Sequence, residues 1–178
     1  MTWMLVVRWG VLVALATAIA VWDLLRRIIP NSVVIAGLVA GLVLAALTGW
    51  QALIGALAGA AAFGGPFTVM WVAGTAASGE GWVGAGDAKA AMALGAVLGM
   101  PLALGGLWFG AASGGVLALG WVGRGLWRHR GGLATSWRED GWLGVTRAIA
   151  SDSVWEAGLP YGSALAAGAI LAAALAQR

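Results

Sequence analysis

Apolar residues in this chain come in long blocks rather than alternating with polar ones. Thr2 to Trp22 is uncharged apart from Arg8 and gives way to "DLLRRIIPN", where two arginines and then Pro30 mark the end of a helix. Small residues from Ala18 to Ala20 have the spacing of a signal-peptide cleavage site, but the arginines follow the block instead of preceding it, so it reads as a retained transmembrane helix. A second helix is expected from Val33 to about Thr48, capped by Asn31 or Ser32. A third is expected from about Gln51 to Gly74, bent at Pro66. The run from Ala88 to Val122 is too long for one crossing, and "GMPLALGG" around Pro101 divides it into helices four and five. Helix four is then short and starts within Trp82 to Gly86. A polar segment from Gly123 to Gly158 precedes a sixth helix, from about Leu159 to Ala176.

A membrane about 30 Å thick needs roughly 20 helical residues per crossing, and the alternating pattern of barrel strands is nowhere visible. The predicted fold is all-α: a polytopic membrane protein with about six transmembrane helices in one bundle. Residues 1–178 form a single integral membrane domain with a polar cytoplasmic loop at about 123–158. Composition agrees. Hydrophobic residues make up 61% of the chain and charged residues 10%, too few to cover a soluble domain. With no cysteine, disulfides, thiolate metal sites and cysteine nucleophiles are excluded, and the single histidine, His129, makes no metal cluster. No metal and no cofactor is expected.

Basic residues orient the helices. With the amino terminus outside, Arg26, Arg27, Lys89, Arg124, Arg128, Arg130, Arg138 and Arg147 fall on the cytoplasmic side, and only Arg8 and Arg178 do not. Treating Ala88 to Val122 as one crossing would put the arginines from 124 to 138 outside, which supports the division at Pro101.

Two crossings separate Asp23 from Asp87, so both carboxylates lie on one face, each at the boundary of an apolar segment where charge is costly and usually functional. A pair of acids is the machinery of aspartic proteolysis, one activating water and the other polarising the scissile carbonyl. Asp87 follows Gly84 and Gly86 in "GAGD" and opens helix four, whose positive dipole end favours a carboxylate. Asp23 ends helix one, whose negative end favours a carboxylic acid, so Asp87 is assigned as base and Asp23 as acid. Gly84 and Gly86 would let the active-site loop adopt positive φ and admit a substrate backbone. Lys89 belongs to the same loop, either steadying a carboxylate or snorkelling to the headgroups.

Plainer readings stand beside these. Asp23 can pair with Arg26 or Arg27 on its own helix, and Glu80 reads as a solvated loop acid. Pro160 and Tyr161 either support the floor of the site or anchor the interface. Tryptophans near span ends, such as Trp3, Trp22, Trp50, Trp82 and Trp121, read as interface anchors. Glycines four apart (Gly37 and Gly41, Gly55 and Gly59, Gly95 and Gly99, then Gly106, Gly110 and Gly114) read as close helix contacts. "GRGLWRHRGGLATSWRED" reads as a segment lying on anionic lipid headgroups, not as a nucleic-acid site, with an interfacial helix over Asp140 to Ala150.

"DLLRRIIPN" (Asp23 to Asn31), "GAGDAK" (Gly84 to Lys89) and "LPYGSALAAG" (Leu159 to Gly168) together resemble the three recurring segments of the type IV prepilin peptidases, GxGD-type intramembrane aspartic proteases. Their order, the spacing of Asp23 to Pro30 and Asn31, and the six-helix plan are similar across essentially the whole chain. The resemblance implies that Asp23 and Asp87 are catalytic, with Gly84, Gly86 and Lys89 in the active-site loop and Pro30, Asn31, Pro160 and Tyr161 as support. It also implies a prepilin or pseudopilin precursor as substrate, cut at its short cytoplasmic leader, in the bacterial inner membrane. Longer members carry a cysteine-containing cytoplasmic domain and methylate the new terminus. This sequence has no cysteine, so methylation is not expected, and it looks like the short form associated with tight-adherence (Flp-type) pili. The segment that often reads GDVKL in the family is GDAKA here. A small ion- or proton-coupled transporter using the same aspartates is the alternative function, and a catalytically silent pilus scaffold a third. Oligomeric state is not legible.

Overall fold

The computed structural model describes residues 2–79, 81–151 and 161–176, and within 121–151 only some side chains. Among the described residues six helices follow one another: α1 (Thr2–Arg26), α2 (Asn31–Thr48), α3 (Trp50–Ser78), α4 (Ala85–Leu98), α5 (Leu102–Ser151) and α6 (Tyr161–Leu175). No strand occurs among the described residues. Four stretches are long and apolar enough to cross a membrane: Trp3–Arg26, Asn31–Thr48, Trp50–Ser78 and Leu102–Gly120. The chain is an all-α polytopic membrane protein.

It divides into two compact units, residues 1–114 with 160–178, and residues 115–159. In the first unit large apolar side chains such as Val6, Leu47, Val69 and Trp108 point outward, whereas small ones line the contacts. That inversion suits lipid: hydrocarbon gives apolar side chains no reason to leave it, so helices associate through close backbone packing. α4 is the centre of this unit. Ala88, Ala90, Ala91 and every residue from Ala93 to Leu98 are buried, and α3 packs along it most extensively. The contact requires glycine, since a Cβ on Gly59 would run into the Gly95 carbonyl, and one on Gly95 into the Gly59 carbonyl. Gly37, Gly41, Gly106, Gly110 and Gly114 likewise face close neighbours. Gly55 does not, and contributes its carbonyl instead, which accepts the Met100 N–H at 3.0 Å. Larger side chains fill the middle, with Phe63 and Phe67 of α3 beside Leu94 of α4 and Leu165 of α6.

The break at Pro101 is where expected, between α4 and α5. Asn31 and Ser32 turn out to lie inside α2, whose N-cap is Pro30 with no side-chain capping bond. Pro30 has the φ of −63° that its ring imposes together with an extended ψ of 133°, and the helix starts directly after it. The segment expected as a loop from 123 is helical through Ser151, interrupted only by the non-helical Gly141 (φ 58°, ψ −139°). Within the second unit Arg124, Trp127, Arg138, Trp142 and Leu143 are exposed. The remainder of the expected loop, from Asp152, lies outside the described residues, as do Glu80 and Pro160.

Candidate active site

Asp23 sits in the last turn of α1 and is 5% exposed, the one buried charged side chain among the described residues. An isolated carboxylate at that depth would be costly unless hydrogen-bonded, and the partner is the start of α6. Asp23 Oδ2 accepts the Ser163 backbone N–H at 2.9 Å, and the Gly162 N–H also donates to this carboxylate. The first amides of a helix have no intrahelical acceptor, so they form a natural anion cradle. Gly162 is there for space: a Cβ would lie 3.1 Å from Asp23 Cγ and 2.9 Å from Ile29 Cδ1.

Beyond Asp23 the chain turns through Arg27, which has a positive φ of 53° and donates its N–H to the Asp23 carbonyl at 3.0 Å. A left-handed residue just past a helix end closes the last turn; here a non-glycine residue adopts it, at a cost of about 1–2 kcal/mol. The turn brings Ile29 back into the core, between Gly162 on one side and Gly86 on the other. The Arg27 charge acts on Asp23, while the Arg26 guanidinium lies over the Trp22 ring at 4.7 Å.

Asp87 is the third residue of α4, and its carboxylate reaches back to the backbone N–H of the N-cap residue Gly84. This is the reciprocal half of a capping box, in which the third helical residue satisfies the cap amide. Gly84 has φ −63°, and Gly86 is helical; neither adopts the positive φ expected from sequence. At Gly84 the requirement is room. A Cβ on Gly84 would stand 3.1 Å from Asp87 Oδ2, while one on Gly86 would make ordinary contact with Ile29 at 3.7 Å.

The two carboxylates therefore meet around Ile29 at one end of the first unit, close enough for the charge of Asp23 to act on Asp87. Asp87 is half-buried, and Lys89 and Asn31 are exposed beside it, with Lys89 Nζ donating to Asn31 Oδ1 at 3.2 Å. Pro30 is half-buried next to Asn31. Tyr161 packs against Phe67 at 5.9 Å between ring centres and faces Gly114, which fixes the start of α6 that holds Asp23. The helix-end argument that set the two acids apart does not survive: Asp23 lies at the end of α1 but also at the start of α6, so both carboxylates receive helix amino-terminal amides.

Sequence reasoning passed over Gly162, Ser163 and Ile29. The first two stand inside "LPYGSALAAG", and the usable signal was a helix start whose amides need an acceptor.

No curated protein and no solved structure matches the chain. A family model for the type IV leader peptidase family matches residues 10–119, a stretch that holds both aspartates and excludes α6. More than half of the chain lies within that match, and the protein is a member of the type IV leader peptidase family.

Proposed function

We propose that this peptidase is a membrane-embedded aspartic endopeptidase that removes the short cytoplasmic leader of Flp-like prepilins or pseudopilins. The observation that carries the proposal is the convergence of Asp23 and Asp87 at one end of the helical unit, one buried and amide-held, the other half-open beside exposed Lys89 and Asn31. One carboxylate takes a proton from water as its oxygen attacks the scissile carbonyl carbon. The other, protonated, donates to the carbonyl oxygen; the proton taken from water then passes to the amide nitrogen as the C–N bond breaks, and the re-forming carboxyl group returns a proton to the second carboxylate. Because like charges this close disfavour double ionisation, the two share one proton and act as a pair.

Lys89 and Asn31 form the exposed rim, with Pro30 behind them; Gly84 and Gly86 keep the floor low, and Tyr161 anchors the start of α6. The positions of the arginines support a reading in which this end faces the cytoplasm at a bacterial inner membrane, and the exposed Arg124 and Arg138 suit a surface resting on anionic lipid. Ion-coupled transport gains no support from the family match. Co-expression with an Flp-type prepilin tests the reading: the wild-type chain should shift the substrate to its shorter form, and Asp23→Asn and Asp87→Asn should not at matched membrane levels. Cleavage by either variant at the wild-type rate would refute it.

A further inference from the structure

Arg8 is the one charge inside an apolar block of α1 that the proposed chemistry does not use. In lipid such a residue needs strong partners, and it has them in α4. Arg8 Nε donates to the Val97 carbonyl at 2.5 Å and Nη2 to the Leu98 carbonyl at 2.6 Å. These are the last carbonyls of α4, which carry the negative end of its dipole and lack helical donors. The arrangement is built: Gly99, with φ +65°, follows the helix, and a Cβ there would stand 2.7 Å from Arg8 Nη2. A small cavity beside the guanidinium is lined by Leu5, Trp9, Leu12 and Leu102 and by Ala173 and Ala176 near the end of α6. The carbonyl end of α4 already answers the positive charge there, which disfavours an anion as occupant.

The two helices that Arg8 joins are those that carry the aspartates, running in opposite directions. Arg8 near the start of α1 holds the end of α4, and Asp23 near the end of α1 meets the start of α4 across Ile29. Residues 90–98 of α4 are all apolar, so between these two ends α4 offers α1 no side-chain hydrogen bond. A two-pronged bond at the far end, about 22 Å along α1 from Asp23 at 1.5 Å per residue, sets the level of the whole helix. We infer that Arg8 is a positioning residue for the catalytic pair: by fixing α4 in register against α1 it sets the depth at which Asp87 meets Asp23. The inference rests on the paired-aspartate reading of the site.

The cysteine-free chain allows register to be read without activity. A Cβ on Gly86 would lie 3.7 Å from Ile29 Cβ, a disulfide separation, so Ile29→Cys with Gly86→Cys reports the level of α4 against the turn that leaves α1, three residues past its end. Gly105→Cys with Ala172→Cys, 3.3 Å apart, reports α5 to α6 packing and involves neither helix. In membranes, Arg8→Gln should slow formation of the 29–86 disulfide at least about fivefold and leave the 105–172 disulfide unchanged. In the chain without engineered cysteines, Arg8→Gln should lower kcat about tenfold or more at near-constant KM, because misplacement by about 1 Å is enough for such losses. Arg8→Lys, which keeps the charge but offers no fork, should lie between. An unchanged 29–86 rate in Arg8→Gln overturns the inference. So does joint loss of both disulfides in Arg8→Gln and Arg8→Lys, which would make Arg8 a general folding residue. Cleavage by Asp23→Asn or Asp87→Asn at the wild-type rate would instead overturn the paired-aspartate reading and leave the register result standing.

Discussion

The two ends of the α1–α4 pair use the same device with opposite signs. At the Arg8 end, a cation is met by the last carbonyls of a helix carboxyl terminus. At the Asp23 end, an anion is met by the exposed amides of a helix amino terminus. Both rely on backbone groups that a helix leaves without partners, and in a low-dielectric surrounding these cost no rotamer entropy to aim. The difference lies in how complete each arrangement is. Arg8 is gripped along one edge of its guanidinium by two short bonds, whereas the carboxylate end holds a second acid that is half-buried and opens toward exposed polar residues. One end is built to hold still and the other to admit a reactant.

That contrast can be broken in graded steps. The largest effect should come from the acids themselves: Asp23→Asn or Asp87→Asn should each cut leader cleavage by at least about 100-fold, the scale of general acid–base catalysis, measured as substrate conversion at equal membrane abundance. Next is the cradle of Asp23. Gly162→Ala places a methyl 3.1 Å from its Cγ and 2.9 Å from Ile29, and a displacement of under 1 Å should cost on the order of 10–100-fold in kcat, with the protein still inserted. A smaller and sharper test compares two neighbours. Gly84→Ala brings a methyl to 3.1 Å from Asp87 Oδ2, whereas Gly86→Ala makes ordinary contact at 3.7 Å. Since Gly84 has φ −63°, alanine brings no backbone penalty, and the loss should be about fivefold to tenfold at 84 and within about twofold at 86. Equal losses at both would mean that the loop needs flexibility rather than room. The smallest change is expected for Lys89→Gln, whose bond to Asn31 is exposed; exposed pairs contribute little, and cleavage should stay within about twofold.

Much of this was legible in the sequence because it depends on long-range composition and on punctuation. Pro30 and Pro101 ended segments where the pattern of apolar blocks said they should, and two crossings between Asp23 and Asp87 put both acids at one end before any geometry was known. What stayed illegible involves backbone. The amides of Gly162 and Ser163 carry no side-chain signature, and only the folded chain brings the start of α6 to the end of α1. Arg8 interrupted an apolar run, yet nothing in its neighbours announced the carbonyls of Val97 and Leu98. The helical stretch from 123 to 140 was missed because glycine and charge were read as loop signals, whereas the helix expected over Asp140 to Ala150 is present beyond Gly141. Glycine lowers helix propensity by only about 1 kcal/mol per residue, and no proline stands between Pro101 and Pro160 to stop the helix.

The central claim is that Asp23 and Asp87 work as one unit, and a double-variant cycle on the purified enzyme in lipid tests it most directly. Rates of leader removal, read from the mass of the new amino terminus, are compared for the wild type, Asp23→Asn, Asp87→Asn and the double variant. If the pair shares one proton and one water, the double variant loses no more than either single variant. Losses that multiply, or a single variant that cleaves at the wild-type rate, would contradict the account.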